Sequence, residues 1–271
     1  MMAKGKIAAC FNGLYCVHLE LTSRCNKDCW MCGRRKIDRE YPEIAMNYGD
    51  MDFELVKSIA KQLPEEIVVQ LHNNGESLLY PRFWDAVKLF NKQIKCLDTN
   101  GKLIVEKADE IIGNLDTITI SVFENDDEAD EQYKLIKKFM KIKAKRKPLV
   151  IIRVLGNVDL ERYKKLDALI ATRVLHSPMG SFKYKKRPTV PEIGICLDML
   201  NHMCISRDGK VSICVRFDPL GLGIIGDASK TPLIDIWNSP KRKEWLKYHI
   251  EGKRENVPLC SYCKYWGVPT G

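Results

Sequence analysis

Apolar, β-branched runs punctuate the chain at 15–22 (YCVHLELT), 67–73 (IVVQLHN), 94–99 (IKCLDT), 117–123 (TITISVF), 149–155 (LVIIRVL) and 173–176 (RVLH). Between them, 52–63, 82–92, 102–113, 129–144 and 159–171 carry apolar residues at helical spacing. Six strands alternating with five helices predict parallel strands joined by right-handed crossovers. Six units are too few for an eight-stranded barrel. An open, partial (β/α)6 TIM-like barrel fits, with a doubly wound sheet as the alternative.

Alternation within the strands says more. Side chains two apart share a face. His18, Glu20 and Thr22 share one on the first strand; Gln70, His72 and Asn74 on the second; Cys96, Asp98 and Asn100 on the third; Thr117, Thr119 and Ser121 on the fourth. The opposite faces are apolar: Val17, Leu19, Leu21, Val69, Leu71, Leu97, Ile118 and Ile120. The apolar faces must pack on helices, so the polar ones are expected to line the interior. A polar lining costs free energy unless hydrogen-bonded or wet, which points to a cavity for a polar ligand or a self-satisfied network.

Past residue 178 the pattern changes. A Pro-, Gly- and charge-rich connector leads to CISRDGKVSIC, two short strands around Asp208-Gly209. That dipeptide predicts a hairpin in which both central residues have positive φ. A helix over 240–251 and a Cys260–Cys263 pair follow. The expected organisation is a barrel over 12–180 and a small cysteine-rich domain over 190–271.

The 271 residues include 44 Lys+Arg against 35 Asp+Glu, a surplus of nine that suits anionic ligands. Only 137–147 is densely basic, so nucleic acid is a weak reading. No apolar run is long enough for a membrane span or a secretory signal, and a cytoplasmic protein without membrane association is expected. Its 11 cysteines, an odd number, then point to metal or redox chemistry rather than disulfides.

Cys25, Cys29 and Cys32 lie within eight residues on the loop after the first strand. A structural zinc site wants four ligands, usually in two close pairs. Three thiolates on a four-iron cluster leave one iron without a protein ligand, open to a small chelator. Four further cysteines, Cys196, Cys214, Cys260 and Cys263, flank the hairpin and suit zinc or iron–sulfur equally. Cys10, Cys16, Cys96 and Cys204 are expected to pack as small hydrophobes, with Cys204 a substitute ligand near the second set.

The C-x3-C-x2-C spacing resembles the radical S-adenosylmethionine (radical SAM) superfamily, whose partial barrel matches the one expected here. The resemblance implies a 4Fe-4S cluster on Cys25, Cys29 and Cys32 whose open iron chelates SAM. One electron then cleaves SAM to a 5′-deoxyadenosyl radical that takes a hydrogen atom from substrate. Met31 stands where the family usually has an aromatic residue, with Trp30 one earlier. Gly75-Glu76 resembles the segment that binds the SAM amine. Thr99-Asn100-Gly101 is a common family turn, Ser121 matches a ribose-binding position, and Arg153 is a carboxylate partner. The second cysteine set, with Gly226-Asp227 and Ile236-Trp237, resembles the SPASM/twitch extension in its shorter form, implying one auxiliary 4Fe-4S cluster. In size and cysteine layout the chain is similar to the deoxy-scyllo-inosamine dehydrogenase type. The resemblance therefore implies oxidation of a small sugar- or cyclitol-like molecule, with Arg153 or His72 assisting proton loss and flavodoxin or ferredoxin as electron donor. A peptide-modifying maturase is the alternative, and a non-catalytic iron–sulfur or zinc protein on nucleic acid is the third reading. Arg34, Arg35, Lys36 and Arg39 beyond the first cysteines are candidates for an anionic substrate or a solvated loop.

Overall fold

The computed structural model describes residues 10–173, 195–261 and 263. Among these residues nine strands form one sheet: β1 (Cys16–Leu19), β2 (Val68–Leu71), β3 (Ile94–Thr99), β4 (Thr117–Phe123), β5 (Leu149–Leu155), β6 (Leu169–Arg173), β7 (His202–Ile205), β8 (Lys210–Ser212) and β9 (Ile224–Asp227). The order is β6-β5-β4-β3-β2-β1-β7-β8-β9. Strands β1 to β6 are parallel and lie in chain order. A doubly wound sheet changes side at a switch point; β1 to β6 run in one direction without such a change and have the order of an open, partial barrel.

Among the described residues ten helices accompany it: α1 (Gly33–Glu40), α2 (Phe53–Gln62), α3 (Phe83–Leu89), α4 (Ala108–Ile111), α5 (Ala129–Lys143), α6 (Glu161–Lys164), α7 (Leu197–Asn201), α8 (Leu233–Trp237), α9 (Pro240–Ile250) and α10 (Pro258–Ser261). Val17, Leu19, Leu21, Val69, Leu71, Leu97, Ile118 and Ile120 are fully enclosed, as the alternation predicts. They share a core with Val56 and Ile59 of α2, Phe83 and Val87 of α3, and Ile136 and Phe139 of α5. Burying such side chains stabilises by about 1.5–3 kcal/mol each, which is why the apolar face takes the helical side.

Three expectations fail locally. The helix expected over 102–113 is α4 alone, preceded by turns around β-branched Ile104 and Val105. That expected over 159–171 stops at Lys164, because Leu169–Arg173 is drawn into the ladder beside β5, with Ile152 opposite Ile170. The sixth strand therefore precedes the expected 173–176, and 174–176 lie outside the described residues, as does the 178–190 connector region. In the hairpin only Gly209 has positive φ, +83°. Ser206 and Gly209 close a longer turn through Gly209 N–H to Ser206 O, so Asp208 needs no left-handed backbone.

The C-terminal region is continuous with the barrel sheet. β7 runs parallel to β1, with Cys16 opposite His202 and His18 opposite Cys204, and β8 and β9 follow antiparallel. Among the described residues no helix is long and apolar enough to cross a membrane.

Candidate iron–sulfur and cofactor site

The first three cysteines occupy the loop from β1 to α1, with Cys32 as the N-cap of α1. Cys32 N–H donates to Cys29 O at 3.0 Å, and Lys36 N–H to Cys32 O at 3.1 Å, which curls the loop around its thiols. Burial, then Cys32 and Cys25, push the Cys29 thiol up to about 12. That mutual penalty is what a bound cation relieves. Met31 is half-buried on this loop and Trp30 donates its indole N–H to Glu124 O at 3.0 Å.

A buried ion pair anchors the loop. Lys27 Nζ lies 2.9 Å from Asp126 and 2.6 Å from Glu128, beyond β4. Nothing in the sequence pattern marks that pair, since its members lie about a hundred residues apart. The four basic residues past the cysteines are committed locally. Arg34 donates to Ser23 O and stacks on Tyr48; Arg35 donates to Cys25 O; Lys36 pairs with Glu40 and Arg39 with Asp28. They brace the loop rather than offer a free anion site.

Gly75 sits against the same loop. A Cβ there would lie 2.0 Å from Thr22 O, so only glycine lets the β2 loop approach. Glu76 N–H donates to Arg24 O at 2.8 Å. The Glu76 carboxylate is 2% exposed and turned inward. It accepts from Thr99 Oγ1 at 2.9 Å, Asn100 N at 2.8 Å and Leu78 N at 3.2 Å. Burial raises its pKa to about 7 against those donors. Its first task is thus to staple the β2 loop to the Thr99-Asn100-Gly101 turn. Asn100 in turn reaches Asn26 Oδ1 at 2.8 Å and lies 3.8 Å from Cys25 Sγ. Gly101, at φ +82°, closes that turn.

The polar strand faces form a connected interior network. Asp98 accepts from Gln70 at 2.6 Å and from Arg153 at 2.7 Å. Arg153 also reaches Ser121 Oγ at 2.8 Å, and His72 Nδ1 lies 3.8 Å from Asp98. Burial opposes ionisation of Asp98, but the Arg153 guanidinium outweighs it and holds the carboxyl below its usual range. Burial keeps His72 below the ordinary imidazole value against the pull of Asp98. The result is a carboxylate–guanidinium pair beside a neutral imidazole. Ser121, Arg153 and His72 meet here, while Glu76, Asn100 and Gly75 meet beside the thiols.

The second set surrounds the start of α7. Cys196 is its N-cap, Cys214 follows β8, and Cys260 and Cys263 lie on and after α10. Burial raises the Cys260 thiol, and Cys196 and Cys263 raise it further; Cys214 is raised by burial, Asp198 and Cys196. The four thiols therefore share one neighbourhood. Three partners escaped the sequence reading: His249 Nε2 lies 3.4 Å from Cys260 Sγ, Asp198 lies 3.4 Å from Cys214 Sγ, and Arg254 donates to Cys260 O and Cys263 O. Only Asp198, two residues after Cys196, carried a local signal. Cys204 is enclosed in the sheet beside Glu20 and Cys16 and packs as expected.

The spacing of the thiols bears on whether an ion or a cluster suits them. A single zinc ion about 2.3 Å from each sulfur holds its thiols within about 4 Å of one another. Among the described residues the only group of three or more ligand atoms all within 4.8 Å is Cys16, His18 and His202. Neither set of thiols is drawn in that tightly. Soft sulfur donors set more widely apart fit polynuclear iron–sulfur clusters.

Comparison with known proteins agrees. The radical SAM superfamily pattern matches residues 19–166, and the SPASM pattern, an iron–sulfur cluster-binding domain, matches residues 196–264. A tungsten-containing aldehyde ferredoxin oxidoreductase cofactor-modifying protein of Pyrococcus furiosus is 34% identical over 96 residues, spanning 34% of this chain and 25% of that protein. Among solved structures, BtrN in complex with AdoMet and 2-DOIA aligns over 92% of both chains with a TM-score of 0.62 and 18% identity. AnSMEcpe with bound AdoMet aligns over 91% of this chain and 84% of that one, with a TM-score of 0.63 and 14% identity. SuiB of Streptococcus suis bound to precursor peptide SuiA aligns over 93% and 71%, with a TM-score of 0.55 and 14% identity. These likenesses are of fold.

Proposed function

The chain belongs to the radical SAM superfamily, and from that premise we propose that it removes two hydrogens from a small polar, sugar- or cyclitol-like substrate held in the barrel interior. Cys25, Cys29 and Cys32 would hold the SAM-binding 4Fe-4S cluster, and Cys196, Cys214, Cys260 and Cys263 an auxiliary one. When bound, the first supplies the electron that cleaves SAM for hydrogen abstraction, and the second a place for the electron the substrate gives up.

The chain's own residues do the rest. Gly75 lets the β2 loop approach the thiols, and Glu76 fixes that loop to the Asn100 turn. The exposed backbone of this loop and Met31 line the place for SAM, with Ser121 toward its ribose. Arg153, shared between Asp98 and Ser121, orients polar groups of cofactor and substrate. His72, kept neutral by burial beside the Asp98 carboxylate, can take the proton a substrate hydroxyl loses. The observation that carries the reading is this network of Gln70, His72, Asp98, Ser121 and Arg153, a hydrogen-bonded polar lining that can offer donors and acceptors to a polar ligand. Reduced flavodoxin or ferredoxin in a reducing cytoplasm is the proposed electron source.

The test is a panel of aminocyclitols and polyols incubated anaerobically with the reconstituted protein, SAM and dithionite. A product two mass units lighter, with one SAM consumed per turnover, is expected. A product of unchanged mass with SAM regenerated would contradict oxidation.

A further inference from the structure

Cys16, expected to be a packing thiol, has different company. It opens β1, and His18 shares its face two residues on. The β1–β7 register puts His202 opposite Cys16. Asp198 lies one helical turn before His202 and returns its carboxylate to that ring. Donor atoms of Cys16, His18 and His202, all within 4.8 Å of one another, converge at the N-terminal edges of two parallel strands, at the opposite end of β1 from the Cys25 loop, and Asp198 touches the group through His202. Cys16 Sγ lies 3.9 Å from His18 Nε2, His18 Nε2 lies 3.4 Å from His202 Nδ1, and His202 Nδ1 lies 3.1 Å from Asp198 Oδ1.

Hydrogen bonds do not satisfy this set. His202 Nδ1 carries at most one proton, and Asp198 Oδ1 is its nearest acceptor. His18 Nε2 then faces a nitrogen with no lone pair left and a sulfur near the limit of hydrogen-bond reach. His18 Nδ1 is buried with no partner among the described residues. Converging lone pairs without protons to fill them are what a cation satisfies. A tetrahedral zinc with bonds of about 2.0–2.3 Å sets its ligand atoms about 3.3–3.6 Å apart; the His18–His202 edge of 3.4 Å lies in that range and the Cys16–His18 edge of 3.9 Å just above it.

We propose that Cys16, His18 and His202 form a mononuclear divalent-metal site, zinc by its donor set, with a fourth position left to water and separate from the seven cluster cysteines. One thiolate and two imidazoles suit zinc over the all-oxygen sites of magnesium or calcium. The site fastens β7 and α7 to β1. Asp198 lies against His202 through Oδ1 and accepts from Cys214 Sγ through Oδ2, so its carboxylate joins His202 to a ligand of the auxiliary set.

The iron-loaded protein, titrated with zinc and freed of excess metal, is read by zinc-edge X-ray absorption and metal analysis. One zinc per chain with one sulfur and three nitrogen or oxygen neighbours is expected. Cys16→Ser and His202→Gln should each weaken zinc binding at least ~10-fold while iron content stays at the wild-type level. If either variant misfolds by circular dichroism, the wild-type coordination shell decides alone. No zinc retained by the folded wild type, a shell of three or four sulfurs, or unchanged zinc affinity in both folded variants would overturn the site. None of these outcomes bears on SAM cleavage, so the site stands or falls apart from the proposed function.

Discussion

Glu76 shows how a single buried carboxylate can carry a testable pH signature. Its folded pKa is about 7, raised by burial, while an unfolded glutamate titrates near 4.5. Between those values the folded chain keeps a proton that the unfolded chain releases. Its contribution is fully present below about pH 4.5 and is lost as pH rises through 7. The window corresponds to about 3 kcal/mol at most. The denaturation midpoint of the wild type should therefore fall between pH 5 and 7, and Glu76→Gln should flatten that fall. Identical slopes in both proteins would show that the carboxyl is not held protonated. The sequence placed Glu76 beside the cofactor, because Gly-Glu after a strand is a local pattern. It did not show that the carboxylate faces Thr99 and Asn100, because that depends on how two loops 24 residues apart pack.

At the scale of elements, the cysteine loop is set by its anchors more than by its own residues. Lys27 is buried against Asp126, and both side chains are almost wholly covered. Removing one partner of such a pair strands the other charge and costs about 3–5 kcal/mol. Lys27→Ala should lose about that much in denaturant titration, and Lys27→Met with Asp126→Leu should recover most of it. A single variant as stable as the wild type would contradict the anchoring role. The strands themselves were legible because alternation between Val17, Leu19 and Leu21 and His18, Glu20 and Thr22 is a two-residue signal. The helices after β3 and β5 were not. Their apolar spacing is helical, but the sheet edge recruits Leu169–Arg173, and β-branched residues shorten the other. The Lys27 anchor, the His249 contact to Cys260 and the Cys16–His202 pairing all join distant positions that share no local pattern.

The whole molecule is a single sheet whose barrel strands and cysteine-rich hairpin meet at the β1–β7 pairing. The sequence divided it into two units because composition changes abruptly near residue 178. The structure joins them because β7 finds an open parallel edge on β1. The loop at the C-terminal end of β1 holds three thiols, the interior holds the Asp98 network, and the segment around α7 holds four thiols. The account requires that the first set alone supports SAM cleavage. The most direct measurement is 5′-deoxyadenosine released by the anaerobically reconstituted protein with SAM and dithionite. Wild type should release it, Cys25→Ala should release none, and Cys260→Ala with Cys263→Ala should still release it if folded. Release by Cys25→Ala, or none from an iron-loaded wild type, would contradict the account.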